Sequence, residues 1–161
     1  MRLLIQSGGN DPQRFAPSLP KPRHPWTECF RCGVCCIKFQ APLNPDEVQR
    51  VAAFLGIQAD EFIRRFTDPR WQGKEKLLLH TNGACSFLNR DTSGKISDCL
   101  IHQVRPAACR DWVAGPDKRE CREGLSQIWH LSVNDSGQLE GSAEQIAEFK
   151  EFSKNSLNDA V

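Results

Sequence analysis

Four cysteines fall within the eight residues CFRCGVCC, Cys29 to Cys36, and no other stretch of the chain limits its folding so strongly. Thiols this close in sequence cannot be shared out among distant parts of a core. One loop must carry them. Four further cysteines stand alone at Cys85, Cys99, Cys109 and Cys121. In a secreted protein eight cysteines suggest a disulfide framework, whereas in a reducing compartment they favour metal. The N-terminal MRLLIQSGGN offers only the apolar run Leu3 to Ile5. A secretory signal needs about 7–15 apolar residues and a membrane span about 20. The chain is therefore expected in the cytoplasm, with reduced thiols and no membrane partner. Adjacent Cys35 and Cys36 argue the same way, because a disulfide between neighbours strains the peptide unit that joins them.

A chain of 161 residues suits one domain, and a domain of that size buries roughly 70% of its unfolded surface. The formal net charge of +1 supplies no long-range field to steer nucleic acid. Basic residues gather at Arg64 and Arg65 and at Lys118, Arg119 and Arg122, but acidic residues interrupt both runs, so both read as solvated faces. No Walker loop, G-x-S-x-G elbow or H-E-x-x-H helix occurs. No strand, glycine-rich loop and helix follow one another as a nucleotide-like cofactor requires. No histidine stands at a spacing that singles out one cysteine as a nucleophile.

The pattern along the chain predicts a small irregular α+β domain, metal-centred, with short strands, a hairpin and three to four helices. Residues 1–26 read as an extended lead-in, because FAPSLPKPRHPW holds four prolines; residues 27–161 read as one cysteine-cluster domain. Ile37 to Leu43 alternates briefly, as a short strand does. NPDEVQRVAAFLG has both ends of a helix marked: Asn44 as N-cap, Pro45 at the first turn, Glu47 closing a capping box and Gly56 as the stop. ADEFIRRF is a second, shorter helix with Phe62, Ile63 and Phe66 inward. Asn82-Gly83 marks a tight turn before Cys85, and NRDTSGKISDC leads back to Cys99, placing Cys85 and Cys99 across a hairpin. Single helical turns are expected on either side of Pro106. Ser142 and Gln145 frame a closing helix whose stripe is Ile146, Phe149 and Phe152.

Thiolates bind zinc and the iron of iron–sulfur clusters. The spacing Cys29-x2-Cys32-x2-Cys35 matches the opening of the bacterial ferredoxin pattern, in which one loop holds a face of the cluster. Zinc uses the same ligands, commonly as two C-x2-C pairs; the later cysteines form no second pair. An iron–sulfur cluster is thus favoured, with zinc as the alternative. Neighbouring side chains diverge, so one of Cys35 and Cys36 ligates while the other serves a second metal, bridges two, or stays free. Arg105 and Arg110 either offset the negative charge of such a centre or pair with carboxylates such as Asp111. Trp26, Trp71, Trp112 and Trp129 either shield a centre or fill the core.

The ordered set CFRCGVCC, CSFL and CLIHQVRPAACR resembles the CxxCxxCC family of zinc- or iron-chelating domains, from about Cys29 to Cys121. The same cysteine pattern occurs in flagellin lysine N-methylases. The resemblance implies metal ligation by Cys29, Cys32, Cys35, Cys36, Cys85, Cys99 and Cys109, with Cys121 as a less regular late member. His102 departs from the pattern, since the family often carries tyrosine there; it is either a further ligand or a packing residue. A methylase-like enzyme component and a purely structural zinc domain are the alternatives to a cluster protein.

Overall fold

The structure is a computed structural model that describes residues 29–158, and the lead-in expected over residues 1–26 lies outside them. The α+β class is as expected. Four antiparallel two-stranded pairs alternate with helices, and among the described residues no continuous sheet forms. Three helices span two turns or more: α2 (Pro45–Leu55), α3 (Ala59–Phe66) and the closing α6 (Ala143–Asn158). Three more are shorter: α1 (Val34–Lys38), α4 (Ala107–Arg110) and α5 (Arg119–Gly124). Among the described residues, no helix is long and apolar enough to cross a membrane.

Helix α2 begins and ends where its sequence says it must. Asn44 accepts a hydrogen bond from the Glu47 amide, Glu47 Oε2 accepts from the Asn44 amide at 3.0 Å, and Gly56 takes the left-handed conformation at φ 70°. Val48, Val51 and Ala52 face inward with Leu43 and Phe62. The β1 (Pro42–Leu43) and β2 (Lys76–Leu77) strands pair around the α2–α3 hairpin and close this first core. The Phe87 ring centroid lies 5.0 Å from that of Phe66, tilted, and 6.4 Å from that of Phe62, stacked, so the three rings form one cluster.

Next come β3 (His80–Thr81) and β4 (Ala84–Cys85), joined by a two-residue turn with Asn82 and Gly83 both at positive φ. That is the type I′ geometry that Asn-Gly favours. The β5 (Leu88–Arg90) and β6 (Ser97–Cys99) hairpin follows. Its register corrects one expectation: Cys99 lies opposite Leu88, and Cys85 belongs to the preceding hairpin. The chain then makes a 3-10 turn at His102–Val104, passes Pro106 and enters α4, as expected of the residues flanking that proline.

A second core gathers Phe30, Cys121, Leu125, Trp129, Leu131 and Phe149. After α5 the backbone widens into a π-helical turn over Leu125–Trp129 and ends at His130, at φ 53°. The β7 (Ser132–Val133) and β8 (Leu139–Glu140) hairpin leads into α6, whose Ser142–Gln145 capping box forms as read. Phe149 brings α6 down onto Phe30, between Cys29 and Cys32.

Glu47 does more than cap α2. Its side chain is buried, and Oε1 accepts a hydrogen bond from the Ala107 amide at 2.7 Å, so one carboxylate orders both α2 and the start of α4, the helix that bears Cys109. Burial pushes its pKa up, but the Ala107 and Asn44 amides and the charges of Arg50 and Arg110 outweigh burial and hold it below the ordinary 4.5. A depressed carboxyl stabilises the fold above its unfolded pKa and loses that contribution as pH falls through its folded value. Glu47→Gln is expected to cost about 1.5–3 kcal/mol at neutral pH. The gap to the wild type should narrow in urea unfolding below pH 4 or so. An undiminished gap in acid would mean that the charge has no part in it.

Candidate metal centre

The cysteine loop is curled by two residues in the left-handed region, Arg31 at φ 57° and Gly33 at φ 76°. Only glycine fits at the second: a Cβ there would stand 2.6 Å from Ser97 Oγ. Strand β6 holds the loop in place. The Ser97 amide donates to the Arg31 carbonyl at 2.8 Å, and Arg31 pairs with Asp98. The curl makes α1 start at Val34, so Ile37 and Lys38 are helical and not part of the strand expected there. Of that strand, Pro42 and Leu43 remain.

At four cysteines the amide two residues further along lowers the thiol pKa against the larger effect of burial: Arg31 at Cys29, Val34 at Cys32, Phe87 at Cys85 and Ile101 at Cys99. Cys121 is met by the Gly115 amide. An amide hydrogen directed at sulfur favours the thiolate over the thiol, which is the form that binds metal. This repeated turn is invisible in composition. It follows from the local curl after each cysteine, which the sequence marks only at Gly33.

Cys29, Cys32, Cys35 and Cys121 line a cavity of about 20 Å³, which Trp112 and Glu120 help to wall. Cys32 reaches this position because residue 124 is glycine; a Cβ there would lie 2.5 Å from Cys32 Sγ. Cys85 at the end of β4, Cys99 at the end of β6 and Cys109 on α4 form a second group, each within range of another's charge. Cys36 touches Cys35, with their sulfurs 4.0 Å apart.

Burial is the main cause that lifts the thiol pKa of Cys32 and of Cys109 to about 12, with repulsion from neighbouring thiolates adding to it. Cys85, Cys99 and Cys121 are raised chiefly by burial too. Cys29 is exposed as a residue, yet burial still dominates at its sulfur, as fits a side chain that turns inward from an exposed backbone. Cys35 is raised most, first by its contact with Cys36 and then by burial. Every thiolate formed makes the next one harder to form, so these sulfurs favour the neutral thiol, and a bound cation is what would favour the thiolate.

Among the described residues, no three His, Cys, Asp or Glu side chains are arranged to hold one metal ion. A tetrahedral zinc with bonds of about 2.3 Å draws its four sulfurs to about 3.8 Å from one another. The donor set, with its partly or fully buried sulfurs and aimed amides, fits thiolate-bound metal; the spacing is looser than one small ion requires.

Of the two arginines beside Cys109, Arg105 is half-buried and acts on the thiols of Cys29, Cys99 and Cys109, whereas Arg110 is exposed beside Asp111 and Glu47. His102 is exposed, and burial of its ring with the charges of Arg105 and Arg31 keeps its pKa below the ordinary value. Trp112, one of the tryptophans read from the sequence as shield or core, lines the cavity, as does Glu120, which no sequence signal marked. Trp129 belongs to the second core, and Trp71 is exposed.

A profile of the CxxCxxCC family, described as a "Putative zinc- or iron-chelating domain", matches residues 28–126. The chain belongs to the CxxCxxCC family. The match covers all eight cysteines and ends within the π-helical turn, leaving β7, β8 and α6 beyond it. A comparison with solved structures finds no match.

Proposed function

We propose that this CxxCxxCC protein holds iron through its thiolates as an iron–sulfur cluster. The observation that carries the reading is the gathering of Cys29, Cys32, Cys35 and Cys121, drawn from the cysteine loop and α5, around one small cavity. Hydrogen bonds to sulfur and exclusion of water are the levers by which a protein sets a cluster's potential. Cys29, Cys32, Cys35 and Cys121 would hold it on the cavity side, with Cys85, Cys99 and Cys109 facing from the hairpins and α4. When bound, the group supplies one-electron chemistry. The chain's own part is to desolvate the sulfurs, direct amides at them and set the Arg105 charge beside them.

Zinc is the second reading, favoured by the 4.0 Å approach of Cys35 and Cys36, which is close to the separation of two thiolates on one tetrahedral ion. A methylase-like role would need a further cofactor site, and the CxxCxxCC resemblance supplies none. Anaerobic purification, elemental analysis and a visible spectrum decide between the metals. Brown protein with iron and acid-labile sulfide is the expected result; colourless protein with stoichiometric zinc would replace the cluster by a structural ion. Cys32→Ser should lose most of the metal on either reading, and full occupancy in that variant would strike Cys32 from the ligands.

A further inference from the structure

The basic run at α5, which acidic residues interrupt in sequence, is sorted by the fold. Glu120 lines the cysteine cavity, Asp117 stands before the helix beside Lys118 at 3.9 Å, and Arg119 and Arg122, three positions apart, share another face. That face walls an open groove of about 530 Å³. Lys38, the last residue of α1, and strand β7 complete it, with Leu131 and Val133 as its apolar lining. Three cations in the groove thus stand against one carboxylate, Glu123, which already pairs with Lys38 at 3.3 Å. Arg122 uses only its Nε, on the Pro116 carbonyl, and Arg119 has no hydrogen bond or ion pair among the described residues. In a chain of formal net charge +1, so local an excess belongs to this surface and not to the whole. Strand β7 gives the groove its direction. Successive side chains of a strand point to opposite faces, so a groove lined by both Ser132 and Val133 runs along the edge of β7. Among the described residues β7 pairs with β8 alone. A strand edge with unpaired backbone groups accepts a further extended segment.

We propose that this groove binds an extended acidic segment of a partner protein, laid along β7, with carboxylates on Arg119 and Arg122 and alternate apolar side chains on Leu131 and Val133. Guanidinium groups suit the role, because each can hold a carboxylate through two parallel N–H bonds. Residues 1–28 of the chain itself do not suit the same place, since they carry four basic side chains and two acidic ones. No cysteine lines the groove, so the proposal is independent of which metal the thiols hold. The position still bears on them. Helix α1 carries Cys35 and Cys36, α5 carries Cys121, and the two helices pack against each other, so a partner seated here touches both.

The test uses the full chain as purified and two short labelled peptides, one alternating glutamate with valine and one alternating glutamine with valine. Fluorescence anisotropy measures binding, and hydrogen exchange with peptide mapping locates it. The glutamate peptide is expected to bind about tenfold more tightly than the glutamine peptide at low salt, and to lose that advantage at about 0.5 M salt. It should also slow amide exchange over residues 131–133, which attraction between charges alone would not do. Arg119→Glu and Arg122→Glu should each weaken binding by about tenfold, whereas Arg64→Glu on α3 should leave it unchanged. All three side chains are exposed, so the exchanges leave both cores intact. Equal binding of the two peptides, protection elsewhere in the chain, or an effect of Arg64→Glu as large as that of Arg119→Glu would overturn the proposal. Tighter binding of an oligothymidylate would make the groove a nucleic-acid site instead. Full protection of residues 131–133 before any peptide is added would mean that this chain or a second copy already fills the groove, and would end the proposal as well.

Discussion

Replacing Phe149 with alanine is expected to lower stability by about 3–5 kcal/mol, the usual loss for a buried phenylalanine. Phe149 is fully buried on α6, with Phe30 edge-on at a centroid distance of 5.4 Å and Trp129 at 5.5 Å. The cavity left behind would open beneath Phe30, the residue after Cys29, so the loop that carries half the thiols loses its support. Helix α6 lies beyond residues 28–126, the part of the chain that matches the CxxCxxCC profile. A large loss in urea unfolding would make α6 an integral part of the fold around the cysteines. Metal content measured on the same samples should fall with it. A loss below about 1 kcal/mol would mean that the second core collapses around the gap and that α6 is an appendage.

Helix ends were the most legible part of this fold, since each is set by a local bond that its sequence names. Asn44 with Glu47, Gly56, and Ser142 with Gln145 all act as their positions imply. The Asn82-Gly83 turn was equally plain, because few residue pairs tolerate two positive φ values in succession. Ile37 was misread because three alternating positions match a strand and one turn of helix equally well; the left-handed Gly33 decided the outcome. The hairpin register was misread because Cys85 and Cys99 are separated by two turns, and the second one sets Cys99 against Leu88. In the site, the identity of the cysteines was visible and their grouping was not. Grouping depends on where α5 and α4 deliver Cys121 and Cys109, and that is fixed by long-range packing such as the Glu47–Ala107 contact. Arg105 and Arg110 show the same limit. Both flank Cys109 in sequence, and only the direction of a short helix tells which of them meets the thiols.

Alanine at position 124 should do the opposite of what it does in most helices. Gly124 has ordinary helical angles, φ −62° and ψ −42°, so the exchange carries no backbone strain. On propensity alone it would stabilise the helix by about 0.5–1 kcal/mol. The new Cβ, however, would stand 2.5 Å from Cys32 Sγ, 2.8 Å from Cys32 Cβ and 3.4 Å from the Phe30 ring. Neither Cys32 atom can retreat without turning its sulfur out of the cavity or shifting the loop, and overpacking of this kind costs about 1–3 kcal/mol. A net loss of stability is expected, with metal affinity reduced by about 10–100-fold, as when the support of a ligand is disturbed. The two readouts separate two roles for Cys32. Loss of both places its sulfur on the metal; loss of stability with full metal content would make Cys32 a packing residue that only resembles a ligand. A variant as stable and as fully loaded as the wild type would show that the close approach of α5 to the cysteine loop does not constrain this protein.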